Sequence, residues 1–289
     1  MRPGFRSSAP LTLLPLATLA VVLSPVLPRA LANPPQPPAS ASTVSCSAPQ
    51  PGRYVVMGDG EVQGEPVARI LLETWRANGQ IEGLRLERRG KVYREQAYVG
   101  RFRPLSLCRV GIERTYGTAL STSQAVLDPQ GVPRYSLGTL PDVVVVSRWF
   151  RQPTSACSAS QLDGTVVSQQ QGRNWVNNRW QPNGVIQHET WRGGQVQGVA
   201  ISSFGPRIEE ATYSGSLSLG ANCLATIQER DSLGVTYNYR AVLLADGSGY
   251  VYLQTDPNSI ALGYLEHQAA AAGQHSQHHG AGTMLPARP

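Results

Sequence analysis

"ETWRANGQIEG" at residues 73–83 is answered by "ETWRGGQVQG" at residues 189–198. Sliding the chain by 115 positions aligns 79–112 with 194–227, and nine of those 34 positions are then identical, among them Gly83, Glu95, Tyr98, Gly100 and Cys108. Chance at ordinary residue usage gives roughly two. The Glu-Thr-Trp-Arg phrase itself aligns after a one-residue gap in the adjoining turn. The starts match as well, "CSAPQPGRYVV" from Cys46 against "CSASQLDGTVV" from Cys157. The chain therefore reads as a tandem duplication with units at 46–153 and 157–267, each long enough to bury its own core.

Strand signals dominate both units. The first runs from "GRYVVMG" at Gly52 through "VARILLETW" at Val67 to "DVVVVSRWF" at Asp142, punctuated by turns such as Ala77-Asn78-Gly79 and Asp128-Pro129-Gln130-Gly131. About eight short strands with tight hairpins and no helical stretch predict an all-β unit. Closure into an antiparallel β-barrel would remove its unpaired edges. Each unit also carries one cysteine near its start and one after its Tyr-x-Gly strand. An even, symmetric set in an exported chain argues for disulfides. Three pairings are possible, and the duplication favours Cys46 with Cys108 and Cys157 with Cys223. Each bond would close a loop of about sixty residues and contribute about 4 kcal/mol through chain entropy.

Residues 1–32 read as a signal peptide. Arg2 and Arg6 precede the apolar "LTLLPLATLAVVL" at 11–23, and Ala30-Leu31-Ala32 supplies a cleavage site after Ala32. A Pro-rich linker follows at 33–45, and the Ala/Gly/Gln/His-rich stretch at 268–289 reads as a disordered tail. No other apolar run is long enough to span a bilayer, so the expected location is secreted or periplasmic with no integral span.

The paired phrases "NGQIEG" and "GGQVQG", with "YVGRFRPLSLC" and "YSGSLSLGANC" downstream, resemble exported bacterial proteins built on lipocalin-like or allene-oxide-cyclase-like small β-barrels. The likeness spans both units. It implies two tandem small antiparallel β-barrels of about eight strands each, of lipocalin or calycin kind, and carries no assigned reaction.

The catalytic inventory is thin. The first unit contains no histidine, and neither unit has a phosphate loop, a dinucleotide fingerprint or a His-Glu-x-x-His motif. No catalytic residue, metal ligand or cofactor is assigned. Alternation along the Glu-Thr-Trp-Arg strand puts Ala68, Ile70, Leu72 and Thr74 on one face, and this more apolar face is expected to line the lumen. Its counterparts are Gly184, Ile186, His188 and Thr190, so His188 becomes a titratable group expected inside the second barrel. With Trp75 and Trp191 at the strand ends, it forms the candidate ligand-binding set. Glu73/Glu189 and Glu95/Glu210, the acids kept in both copies, read as ion-paired surface.

Formal charge is +5 in the first unit and −3 in the second, an asymmetry that would dock the barrels together or present a basic face to an anionic envelope component. Nucleic acid is a poor partner, because no series of stacking aromatics accompanies the charge. The expected function is a non-catalytic module holding a small apolar ligand or contacting a cell-envelope partner. The alternatives are a barrel cyclase or isomerase centred on the second unit, and a structural envelope protein with filled barrels.

Overall fold

The structure, a computed structural model, describes residues 45–152 and 154–267; the signal-peptide, tail and nearly all of the linker assignments fall outside them. The chain is all-β. Strands β1 (Gly52–Val62), β2 (Glu65–Trp75), β3 (Gln80–Arg89), β4 (Val92–Leu105), β5 (Arg109–Tyr116), β6 (Ala119–Leu127), β7 (Pro133–Gly138) and β8 (Val143–Gln152) close into one antiparallel up-and-down barrel. A second closes identically from β9 (Gly164–Val176), β10 (Arg179–Arg192), β11 (Gln195–Phe204), β12 (Arg207–Leu219), β13 (Leu224–Asp231), β14 (Thr236–Leu243), β15 (Gly249–Gln254) and β16 (Ser259–His267). Strand register repeats between them: Gly52 opposes Trp75 as Gly164 opposes Trp191, and Ile70 opposes Leu86 as Ile186 opposes Ile201. This register gives the residues of the matched strand segments their counterparts in the other barrel.

Cys46 bonds Cys108 across 62 residues and Cys157 bonds Cys223 across 66, so each barrel carries its own bridge. The identical glycines also acquire a reason. Gly83 and Gly198 lie opposite Tyr98 and Tyr213, and a Cβ at either would stand 2.4–2.5 Å from the tyrosine ring. Their bareness lets each ring lie flat along the inner wall and carry its hydroxyl to the barrel interior.

The lumen faces are the reverse of the sequence expectation. Leu71 and Trp75 pack with Tyr54, Val110, Ile112 and Trp149, strands from around the whole first barrel, so their face of β2 is the inner one. Ala68 and Ile70 point outward instead, into an apolar cluster with Val251, Leu253, Ile260 and Leu262 of the second barrel. β2 is covered on both sides, and a doubly buried strand loses the apolar-in, polar-out alternation by which faces are read. Thr74 is exposed.

The same cluster joins the barrels: β2 packs against β15 and β16. Gln152 fastens the seam, donating to the Leu243 carbonyl (2.8 Å) and accepting from the Ala245 N–H (2.7 Å). Ion pairs at the seam run from arginines of the acidic barrel to glutamates of the basic one: Arg240 to Glu95 at 2.7 Å and Arg173 to Glu61 at 2.8 Å. The net-charge asymmetry is therefore not what these pairs express. Docking rests on buried apolar area, with charge setting register.

Candidate functional site

Both barrels begin their interior in the same way. Glu and Trp two residues apart on one strand share the inner face, and the indole N–H donates to the carboxylate: Trp75 to Glu73 at 2.7 Å, Trp191 to Glu189 at 2.6 Å. All four side chains are buried. Glu73 and Glu189 are thus interior groups rather than ion-paired surface. The tryptophans plug one barrel end with their only polar atom already engaged.

Beyond that pair the interiors diverge. In the first barrel Glu73 also accepts from Arg114 Nε (2.5 Å) and the Tyr98 hydroxyl (2.5 Å), and Arg114 Nη1 donates to Ser123 Oγ (2.9 Å). Burial alone would weaken the Arg114 cation, but the Glu73 charge outweighs it and holds the guanidinium firmly protonated. In the second barrel the counterpart of Arg114 is Glu229 and that of Ser123 is Tyr239. Glu189 keeps Trp191 as a donor, with the Tyr250 hydroxyl (3.3 Å) and the Tyr213 hydroxyl beside it, and has no cation in the place of Arg114. Glu229, 4% exposed, makes no hydrogen bond or ion pair among the described residues. Burial, reinforced by the Glu189 charge, pushes the Glu229 carboxyl well above the usual range. Burial also raises Glu189, to about 6, against the donors that pull it down. Burial and the neighbouring negative charge therefore both favour the neutral form of Glu229.

The second lumen is also open. A cavity of about 220 Å³ is walled by Glu229, Tyr213, Tyr239, Val185 and Ala200, with Glu209 and Asp231 among the other acids around it. Its room comes from side-chain exchange at equivalent positions. Where Val185, Ala200 and Ala211 stand, the first barrel has Arg69, Arg85 and Gln96. There Arg85 lies over the Tyr116 ring at 3.9 Å and hydrogen-bonds Gln96 at 2.9 Å. Arg69, 7% exposed, forms no hydrogen bond or ion pair among the described residues, and its desolvated cation is weakened by burial. The cavity wall is held in place by a polar relay: Ser168 (2.8 Å) and Tyr252 (2.9 Å) donate to Gln187 Oε1, and Gln187 Nε2 donates to Tyr213 (3.1 Å).

His188, expected inside, is exposed on the outer wall, one residue out of phase with Glu189. The structure does not bring His188, Trp75 and Trp191 together. His188 faces out, the tryptophans sit in separate barrels, and no catalytic residue is assigned. Glu229, Tyr213 and Tyr239 were missed as site residues. The available signal was the reversal of charge at Arg114/Glu229, two positions past the last identity, Ile112/Ile227. Among the described residues no cluster of three or more His, Cys, Asp or Glu is arranged to hold a metal, and no helix is long and apolar enough to cross a membrane.

No family model matches the chain, and no curated protein matches it. Among solved structures, a protein with unknown function from the DUF3598 family of Nostoc punctiforme aligns with 79% of this chain and 100% of its own at 10% identity, with a TM-score of 0.21. The two disulfides fit an extracellular or periplasmic location.

Proposed function

We propose that this is an exported, non-catalytic binding protein of lipocalin-like kind, whose second barrel holds a small ligand with an apolar body and one basic nitrogen. The observation that carries the reading is Glu229: a buried carboxyl with no hydrogen-bond or ion-pair partner among the described residues, on the wall of an open cavity of about 220 Å³. A cavity of that size suits a single ring or a short branched chain. Tyr213, Tyr239 and Phe204 offer it aromatic faces, and an ammonium group supplies the counter-charge that lets the Glu229 carboxyl ionise. The first barrel has no such role in this reading, because its lumen is occupied by its own arginines.

Isothermal titration with single-ring and short-chain primary amines, beside alcohols and hydrocarbons of the same shape, tests the reading. Amines are expected to bind in preference to their isosteres, and Glu229→Gln is expected to erase about tenfold or more of that preference. Ala200→Arg installs the first barrel's residue and is expected to abolish binding. If no amine binds, or if binding is indifferent to Ala200→Arg, the proposal fails.

A further inference from the structure

The seam between the barrels has a counterpart that is left uncovered. On the first barrel it is made by the outer face of β2 and β3, where Ile70 and Leu86 are 0% exposed. The equivalent face of the second barrel is β10 and β11, where Ile186 and Ile201 stand at the same register but are 59% and 43% exposed. Val199 replaces Leu84 and Ile208 replaces Tyr93 on this face, and both are exposed. The apolar character of the face is kept although nothing among the described residues covers it.

The other half of the seam repeats in the same way. Ile260 and Leu262 on β16 are 3% and 5% exposed, while their counterparts on β8, Val144 and Val146, are 65% and 54% exposed. On β15 and β7 the pairs are Val251 with Tyr135 and Leu253 with Leu137. Tyr135 and Leu137 are again exposed. The register is the same, since Leu137 opposes Val146 as Leu253 opposes Leu262. Isolated apolar residues on a surface need no explanation. Two contiguous patches, each a copy of one side of a buried interface, do.

The geometry points to head-to-tail association of this protein with itself: the β7–β8 face of one chain's first barrel docks on the β10–β11 face of a second copy's second barrel, repeating the seam inside each chain. The partner is a second copy because the two uncovered faces are related to the two covered ones by the duplication itself. One polar pair of the seam can be followed into this contact. Glu95, which pairs with Arg240 in the seam, has Glu210 as its counterpart, and Arg240 has Gln124, so an ion pair becomes a carboxylate–amide hydrogen bond. Contact between unlike faces is heterologous. It propagates to a ring if the rotation closes and to a helical filament if it does not.

Two exposed substitutions test this without disturbing either core, using the full chain and sedimentation velocity from about 1 μM to about 1 mM. The parent chain is expected to show mass growing with concentration. Val146→Arg and Ile186→Arg are each expected to weaken association about 30-fold or more. Mixing the two variants is then expected to restore a one-to-one heterodimer, because each retains the face that the other has lost, and to go no further. A parent that stays monomeric throughout overturns the inference. So does association that survives both variants, or that the mixture fails to rescue. A monomer whose two faces resist solvent-accessible labelling assigns the cover to the chain's own 1–44 or 268–289 segments, which also overturns it.

Discussion

Where Glu73 of the first barrel meets Arg114, Glu189 of the second has Glu229 at the equivalent position, and the two interiors differ in consequence. The first barrel answers its buried carboxylate with a guanidinium, two further arginines and tyrosines that fill the space. The second keeps the carboxylate, its tryptophan and the tyrosine above glycine, exchanges the arginine for an acid, and shortens the residues around the mouth. One architecture has thus been used once as a packed can and once as an open cup lined by an acid. The wall, the plug and the disulfide are common to both. What separates the packed interior from the open one is the choice of side chain at a few inward positions.

The comparison breaks most sharply at the buried pair. Arg114→Met leaves Glu73 desolvated without its cation, and urea unfolding is expected to show a loss of about 3–5 kcal/mol. A loss under 1 kcal/mol would mean that the pair contributes little beyond its packing. The second barrel responds in the opposite sense. Its raised carboxyls keep protons in the folded state that the unfolded chain releases, so they cost nothing below about pH 4.5 and an increasing amount as pH rises through 6. Glu229→Gln should accordingly match the parent below pH 4.5. Above pH 7 it should be the more stable of the two, as read by unfolding curves across pH. A parallel pH profile for the two proteins would remove the interaction between Glu189 and Glu229.

Smaller effects sharpen the contrast further. Arg69 is a desolvated cation with no ion pair among the described residues, and Arg69→Met is expected to raise first-barrel stability by about 1–2 kcal/mol, visible as a higher melting temperature. At the bottom of the scale, His188→Ala is expected to change stability by less than about 0.5 kcal/mol and to leave amine binding unaltered, since the imidazole lies on the outer wall. A loss of binding in that variant would return His188 to the site.

Much of the architecture was legible because it is written in local chemistry. Doubled glycines at Gly83/Gly198 and Gly100/Gly215, the Glu-x-Trp phrase and the cysteine spacing all recur, and hairpin turns mark the strands between them. The site was legible only in fragments. Glu189 and Trp191 were visible as a repeated pair, but their burial was not, because the face opposite carries Ile70 in one copy and Ile186 in the other and looks like the more apolar interior. That apolarity belongs to a seam. His188 inherited the error by sharing a phase with Leu72. Glu229 sits just beyond the stretch of identities, where a substitution from arginine looks like ordinary divergence rather than a reversal of charge at the centre of a barrel.

By itself the amino-acid sequence determined the duplication, the strand-rich character of each unit and the favoured partner of each cysteine, because turn residues, alternation and repeat spacing act over a few neighbours or in exact register. Only the tertiary structure decided which face of each strand looks inward, which interior has room, and which apolar faces are covered. Inward and outward are defined by what packs on the far side of a wall. A cavity is the space left by side chains from strands distant in sequence, a quantity that no single segment contains.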